Sequence, residues 1–277
     1  MSYKTILVHV DAAPEARQRF CFAADLALGF DAHLIGCAPT GISRFIPPDV
    51  IVQARTPLAD FCKALRENAA DALRTFVQIV SERGPATAEE RIIDDDACGI
   101  ALHARYADLV VVSQPDVALP AHGSASDLPG YLLRESGRPI LVLPRLAGDA
   151  SRQAHVLLAW DGSSEAVRAV VGALPLLRSA SGVSVMHLWR GRTIHDADTA
   201  SCSALVHYLR RHGICAQALY RSLDGDVGSA LLSVANDKHA GLLVMGGYGQ
   251  APLRESLLGG VTASVLRSMT LPVLLAH

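Results

Sequence analysis

The sequence predicts an α/β protein of two tandem, doubly wound, five-stranded parallel-sheet domains. Three observations carry this. Short uncharged apolar runs alternate with helical stretches, as in parallel sheets covered on both faces. The whole alternation occurs twice along the 277 residues, the mark of an internal duplication. A glycine-rich segment follows a late strand of the second copy and has no match in the first.

The first copy opens with the run Thr5 to Val10, closed by Asp11; the second opens with His155 to Trp160, closed by Asp161. A helical pattern follows each, Pro14 to Leu28 and Ser164 to Leu177, and then a second strand, His33 to Cys37 and Val183 to Trp189. Next come long helices, Leu58 to Arg83 and Thr199 to His212, and β-like segments ending in acidic turns, Glu90 to Asp96 and Ala216 to Asp226. After another helix come the strands Ala107 to Val112 and Ala240 to Met245, and each copy ends on proline and an apolar strand, Pro139 to Leu143 and Pro272 to Leu275. The first copy is longer, and its excess falls around Gly41 to Pro57. The polar stretch Gly148 to Ala154 reads as the linker, which sets domains at 1–147 and 154–277.

Half the residues are hydrophobic, and 25 basic against 27 acidic residues give a net charge of −2. That balance argues against broad electrostatic binding of nucleic acid. Six cysteines form no CxxC pair and no zinc-ligand spacing, so they read as free thiols in a reducing compartment. The N-terminus has no apolar core with a cleavage site, and no uncharged run reaches the ~18 residues of a membrane span. The expectation is a cytoplasmic protein with neither membrane nor nucleic-acid partners.

In open parallel sheets, ligands sit beyond the carboxyl ends of the strands. After the fourth strand of the second copy, Met245-Gly246-Gly247-Tyr248-Gly249-Gln250 leads to Gly259-Gly260-Val261-Thr262 and a helical pattern to Ser268. Glycines let the backbone approach a ligand closely, and N–H groups at a helix start form an anion site. The alternative is a merely tight strand-to-helix connection. Neither GxxxxGK[ST] nor a GxGxxG after a first strand is present, which sets aside the commoner nucleotide signatures.

The segment resembles the nucleotide motif of the universal stress protein family: G-x-x-G, nine residues, then G-[S/T]. Gly246, Gly249 and Gly259 match, while Gly260 stands where the family usually has Ser or Thr. The resemblance covers the chain as two copies. It implies Rossmann-like domains of the adenine nucleotide alpha hydrolase-like type, paired through Ile140 to Leu143 and Val273 to Leu275 as an intramolecular pseudo-dimer, with a further homodimer left open. It implies ATP, AMP or ADP as ligand, with Mg²⁺ or Mn²⁺ held largely by phosphate oxygens and water, and a stress-response signalling role with no protein partner named. The alternatives are a slow ATPase, or a nucleotide-free interaction scaffold that binds another small ligand.

The site that the resemblance implies comprises Ala159, Trp160, Asp161 and Leu188 on the adenosine side, and Met245, Gly246, Gly249, Gln250, Gly259, Gly260, Val261 and Thr262 around the phosphates. The absence of a hydroxyl at Gly260 bears on affinity and on any hydrolysis. A carboxylate at a first-strand end also suits ribose hydroxyls on its own chemistry, although Asp161 reads equally as a turn or N-cap residue. The same segment of the first copy has Ser113-Gln114-Pro115-Asp116 and, further on, Asp127. Proline removes an N–H, and the two carboxylates bring charge that repels phosphate, so the first copy is expected to bind no nucleotide. His9 and His187 read as structural histidines, Ser163 and Ser164 as caps, Met186 and Trp189 as core, and Asp224 and Asp226 as turn residues or a weak cation site.

Overall fold

Uncharged runs such as Ile6 to Val8 or Leu109 to Val112 have no polar face to offer water, so they form strands buried on both sides. In the computed structural model these residues are fully covered. The structure describes residues 2–42, 58–85, 87–95, 97–115, 127–145, 154–248 and 260–277. The chain divides into two units, Ser2–Arg138 and Pro139–His277.

The first unit contains β1 (Thr5–His9), α1 (Ala16–Phe30), β2 (His33–Pro39), α2 (Leu58–Arg83), β3 (Ala88–Ile93), α3 (Ala97–Ala104), β4 (Leu109–Ser113) and α4 (Leu128–Glu135). Its strands lie in the order β3-β2-β1-β4, all parallel. The order reverses at β1 and β4, which puts a crevice beyond their carboxyl ends. Outer strand β3 carries Glu89, Glu90 and Arg91, charges that discourage further strand pairing.

The second unit contains β5 (Ile140–Leu143), β6 (His155–Ala159), α5 (Ser164–Ser179), β7 (Val183–Trp189), α6 (Asp196–Arg211), β8 (Ala216–Ser222), α7 (Val227–Asp237), β9 (Ala240–Gly246), α8 (Gly260–Ser268) and β10 (Val273–Ala276). The order is β5-β10-β9-β6-β7-β8, parallel except at one pair. That pair is β5 with β10, antiparallel, with Leu141 opposite Leu274. Each half of the sequence thus supplies five strands, and the fifth strand of the first half lies on the last strand of the second. No helix among the described residues is long and apolar enough to cross a membrane.

The helices and strands fall within a few residues of their sequence expectations. The clearest helix shifts are α6, which begins at Asp196 instead of Thr199, and α1, which begins at Ala16 instead of Pro14. The insertion around Gly41 to Pro57 and the linker lie largely outside the described residues.

In the first unit, helix–sheet packing depends on Gly36 in β2. A Cβ there would stand 2.4 Å from Cε1 of Phe76, a ring that is 1% exposed. Phe20 meets Phe76 edge-on at 5.6 Å and leaves the ring little room to retreat. Gly36→Ala is therefore expected to destabilise the protein by about 1–3 kcal/mol through overpacking. Urea unfolding measures it, and an unchanged midpoint would contradict this packing.

Candidate functional site

Beyond the carboxyl ends of β6, β7 and β9 the second unit holds a cavity of about 400 Å³, within the range of small-molecule sites. Its apolar wall includes Met186, Leu188, Val227, Leu231 and Met245, and its polar wall Asp161, Ser163, Glu165 and Thr262. Ala159, Trp160, Gly246, Gly260 and Val261 also line it. Nine of the twelve residues expected from sequence therefore surround one space; Gly249, Gln250 and Gly259 lie outside the described residues.

The turn from β6 into α5 is shaped by two side-chain caps. Asp161 Oδ1 accepts from the Ser163 N–H at 2.9 Å, and Ser163 Oγ accepts from the Ala166 N–H at 3.2 Å. Gly162 between them has φ +76°, the left-handed region that glycine enters at low cost. Asp161 thus fills the turn role while its side chain stays at the cavity wall. Ser163 is the N-cap of α5.

Gly246, the last residue of β9, touches the start of α5. A Cβ at this position would lie 2.7 Å from Ala166 N and 2.8 Å from Glu165 Cβ. Glycine is required here by strand-to-helix approach, whatever the ligand. Gly260 is different: a Cβ there meets nothing within 4 Å, so this position has room for the Ser or Thr that the motif usually carries. Between them Tyr248 takes φ +57°, and its N–H donates to Thr262 Oγ1 at 3.3 Å.

A second layer holds the cavity floor. His187 Nδ1 lies 3.0 Å from the Trp160 carbonyl, which can only accept, so this nitrogen carries the proton; Nε2 lies 3.6 Å from Asp198. Trp160 Nε1 donates to Ser201 Oγ at 2.9 Å. His187 is therefore a structural histidine joining β7 to the end of β6. Asp226 caps α7, accepting from Ser229 N–H at 2.8 Å, and also accepts from Ser264 Oγ of α8 at 2.6 Å. These hydroxyl and N–H donors, Ser264 first, hold its carboxyl below the usual range. Among the described residues no group of three or more metal-binding side chains occurs.

Sequence reading assigned no ligand role to Val227, Leu231, Tyr248 or Glu165. Val227 and Leu231 are four apart on α7 and were legible only as an amphipathic face. Glu165 was legible only as a first-turn acid.

The first unit answers the same positions differently. Asp11 corresponds to Asp161, Ser113 to Gly246, and Arg19 to Ala169. Arg19 is 1% exposed. Its Nε donates to the His9 carbonyl at 2.8 Å, its Nη2 to Asp11 Oδ1 at 2.7 Å, and its Nη1 to Ser113 Oγ. Asp11 also accepts from the Ala13 N–H at 3.0 Å. Ser113 carries a side chain where Gly246 has none, and α1 starts two residues later than α5 does. Burial first, then Arg19, depress the His9 pKa from 6.5 to about 4, against the opposing pull of Asp11.

Two outcomes follow for this cluster. Arg19→Ala removes the guanidinium from Asp11, whose side chain is partly exposed and keeps its Ala13 bond, and is expected to cost about 1–3 kcal/mol, read by urea unfolding. The lowered His9 pKa means that unfolded chains bind a proton below about 6.5 that folded chains refuse until about 4. His9 therefore contributes a stability loss as pH falls through that window and none above it. Melting temperatures between about pH 7 and 4.5 should fall less steeply in His9→Gln; equal slopes would refute the assignment.

Residues 154–277 match the model of the universal stress protein family. A comparison with curated proteins finds no match. Among solved structures, a universal stress protein from Archaeoglobus fulgidus DSM 4304 is similar at 16% identity and TM-score 0.74, covering 98% of this chain and 95% of its own. A protein of unknown function from Pseudomonas aeruginosa PAO1 is similar at 17% identity and TM-score 0.59, covering 99% of this chain and 92% of its own. At these identities the two structures speak for the fold of the whole chain, and the family match is carried by its second half. Residues 154–277 thus match the universal stress protein family, and the first half shares the α/β fold of the structures similar to the whole chain.

Proposed function

We propose that the second half binds an adenine nucleotide in the cavity beyond β6, β7 and β9, and that the chain acts as a stress-related signalling module whose partner contacts follow occupancy. The observation that supports this is the convergence of the described motif residues, Gly246 and Gly260, with Asp161 and an apolar wall on one space of about 400 Å³. The two halves of the ligand find matching chemistry. Met186, Leu188, Val227 and Leu231 offer an apolar slot for a base, and hydrophobic contact with a few placed polar groups is what small-molecule sites provide. Asp161 keeps one carboxylate oxygen beyond its turn bond for a ribose hydroxyl. The start of α8 lines the cavity through Gly260, Val261 and Thr262, and backbone N–H groups at a helix start favour a phosphate.

Magnesium or manganese would arrive on the phosphate oxygens with its waters. In this reading the first half is the nucleotide-free member of the pair. Its Asp11 is taken by Arg19 and its Ser113 replaces the glycine that lets a helix start approach.

Calorimetric titration of the full chain with AMP and with Mg²⁺·ATP tests the reading. We expect binding at about one site per chain, weakened on the order of tenfold or more in Asp161→Ala, the size of a lost hydrogen bond to a charged group. Absence of binding by every adenine nucleotide at millimolar concentration would sink it.

A further inference from the structure

The start of α5 is the natural anion seat at the end of β6, and the protein has already filled it. Asp161 holds the Ser163 N–H and Ser163 holds the Ala166 N–H. The Glu165 carboxylate is held below its usual range first by its own backbone N–H, then by the Ser164 hydroxyl and Arg168. Ser164 Oγ donates to it at 3.1 Å and Arg168 at 3.0 Å. The Glu165 side chain is 17% exposed and lines the cavity, whereas Arg168 is 50% exposed. Water therefore screens the arginine more than it screens the carboxylate.

Glu165 also stands beside the beginning of the glycine segment, because its Cβ lies 2.8 Å from where a Cβ on Gly246 would be. With Asp161 it gives the wall two carboxylates, and no Lys or Arg lines the cavity among the described residues. Among the described residues one anion seat remains, the start of α8. A Cβ on Gly260 would meet no described atom within 4 Å, and Thr262, which accepts from Tyr248 N–H, has an O–H of its own that can donate.

Resting on the adenine-nucleotide reading above, we propose that Glu165 is a specificity-determining residue that limits the cavity to a single phosphate, an adenine nucleoside monophosphate in preference to the triphosphate. The first phosphate takes the α8 seat. Each further phosphate adds negative charge within a wall that already carries two carboxylates. A like charge at about 6 Å and an effective dielectric near 20 weakens binding by about tenfold or more.

The test is calorimetric titration in EDTA of wild type and Glu165→Gln with adenosine, AMP and ATP. Wild type should bind AMP at least about tenfold more tightly than ATP, and Glu165→Gln should raise the ATP-to-adenosine affinity ratio about tenfold. ATP binding as tight as AMP in wild type overturns the proposal. So does a Glu165→Gln effect equal for all three ligands, which would mark a merely structural role. Failure of all three ligands to bind wild type would instead strike the nucleotide reading itself.

Discussion

The second unit depends on one missing methyl group. At Gly246 the end of β9 comes so close to α5 that a Cβ would stand 2.7 Å from the Ala166 nitrogen. No rotamer adjustment relieves a clash with backbone, so any side chain there must push the helix away from the sheet. That contact fixes where α5 begins, hence where Asp161 and Ser163 fold their caps, hence where Glu165 enters the wall. Glycine is usually read in such a loop for its freedom of φ or for phosphate approach. Here its first service is to let a helix start rest on a strand end.

The first unit shows what happens without it. Ser113 occupies the matching place, the helix starts later, and the buried Arg19 bonds to Ser113, its guanidinium satisfying a carbonyl, a carboxylate and a hydroxyl together. An arginine buried this deeply is tolerable only because each of its nitrogens has an acceptor. The corresponding strand ends thus border a carboxylate-bearing cavity in one half and carry a buried ionic network in the other. Duplicated halves under different constraints have diverged by filling, not by unfolding: the sheet of the first unit keeps its order and register.

Much of this was legible in the sequence, for physical reasons. Strands buried on both faces must be apolar throughout, so β1, β4, β6 and β9 announce themselves. The twofold recurrence of strand, aspartate and helix pointed to two halves, and the spacing of Gly246, Gly259 and Gly260 pointed to the sheet end where the cavity lies. What escaped depends on contacts between distant segments. Arg19 reads as one more charge on a helix until β1 and β4 bring His9, Asp11 and Ser113 around it. Val227 and Leu231 look like ordinary helix positions until β8 delivers α7 to the cavity. Glu165 has the signature of a helix first turn, and only Gly246 reveals that it also borders a cavity.

The antiparallel pairing of β5 with β10 has a practical meaning for anyone dissecting the chain. All four residues of each strand are buried, and Val142 pairs with Val273 in register. A fragment begun at residue 154, the boundary that composition suggests, would leave behind the strand that covers β10. Its last strand would then present unpaired N–H and C=O groups along an apolar ribbon, the kind of edge through which copies associate. By its contacts, the compact unit that contains β10 begins at Pro139, inside what the sequence counts as the other half.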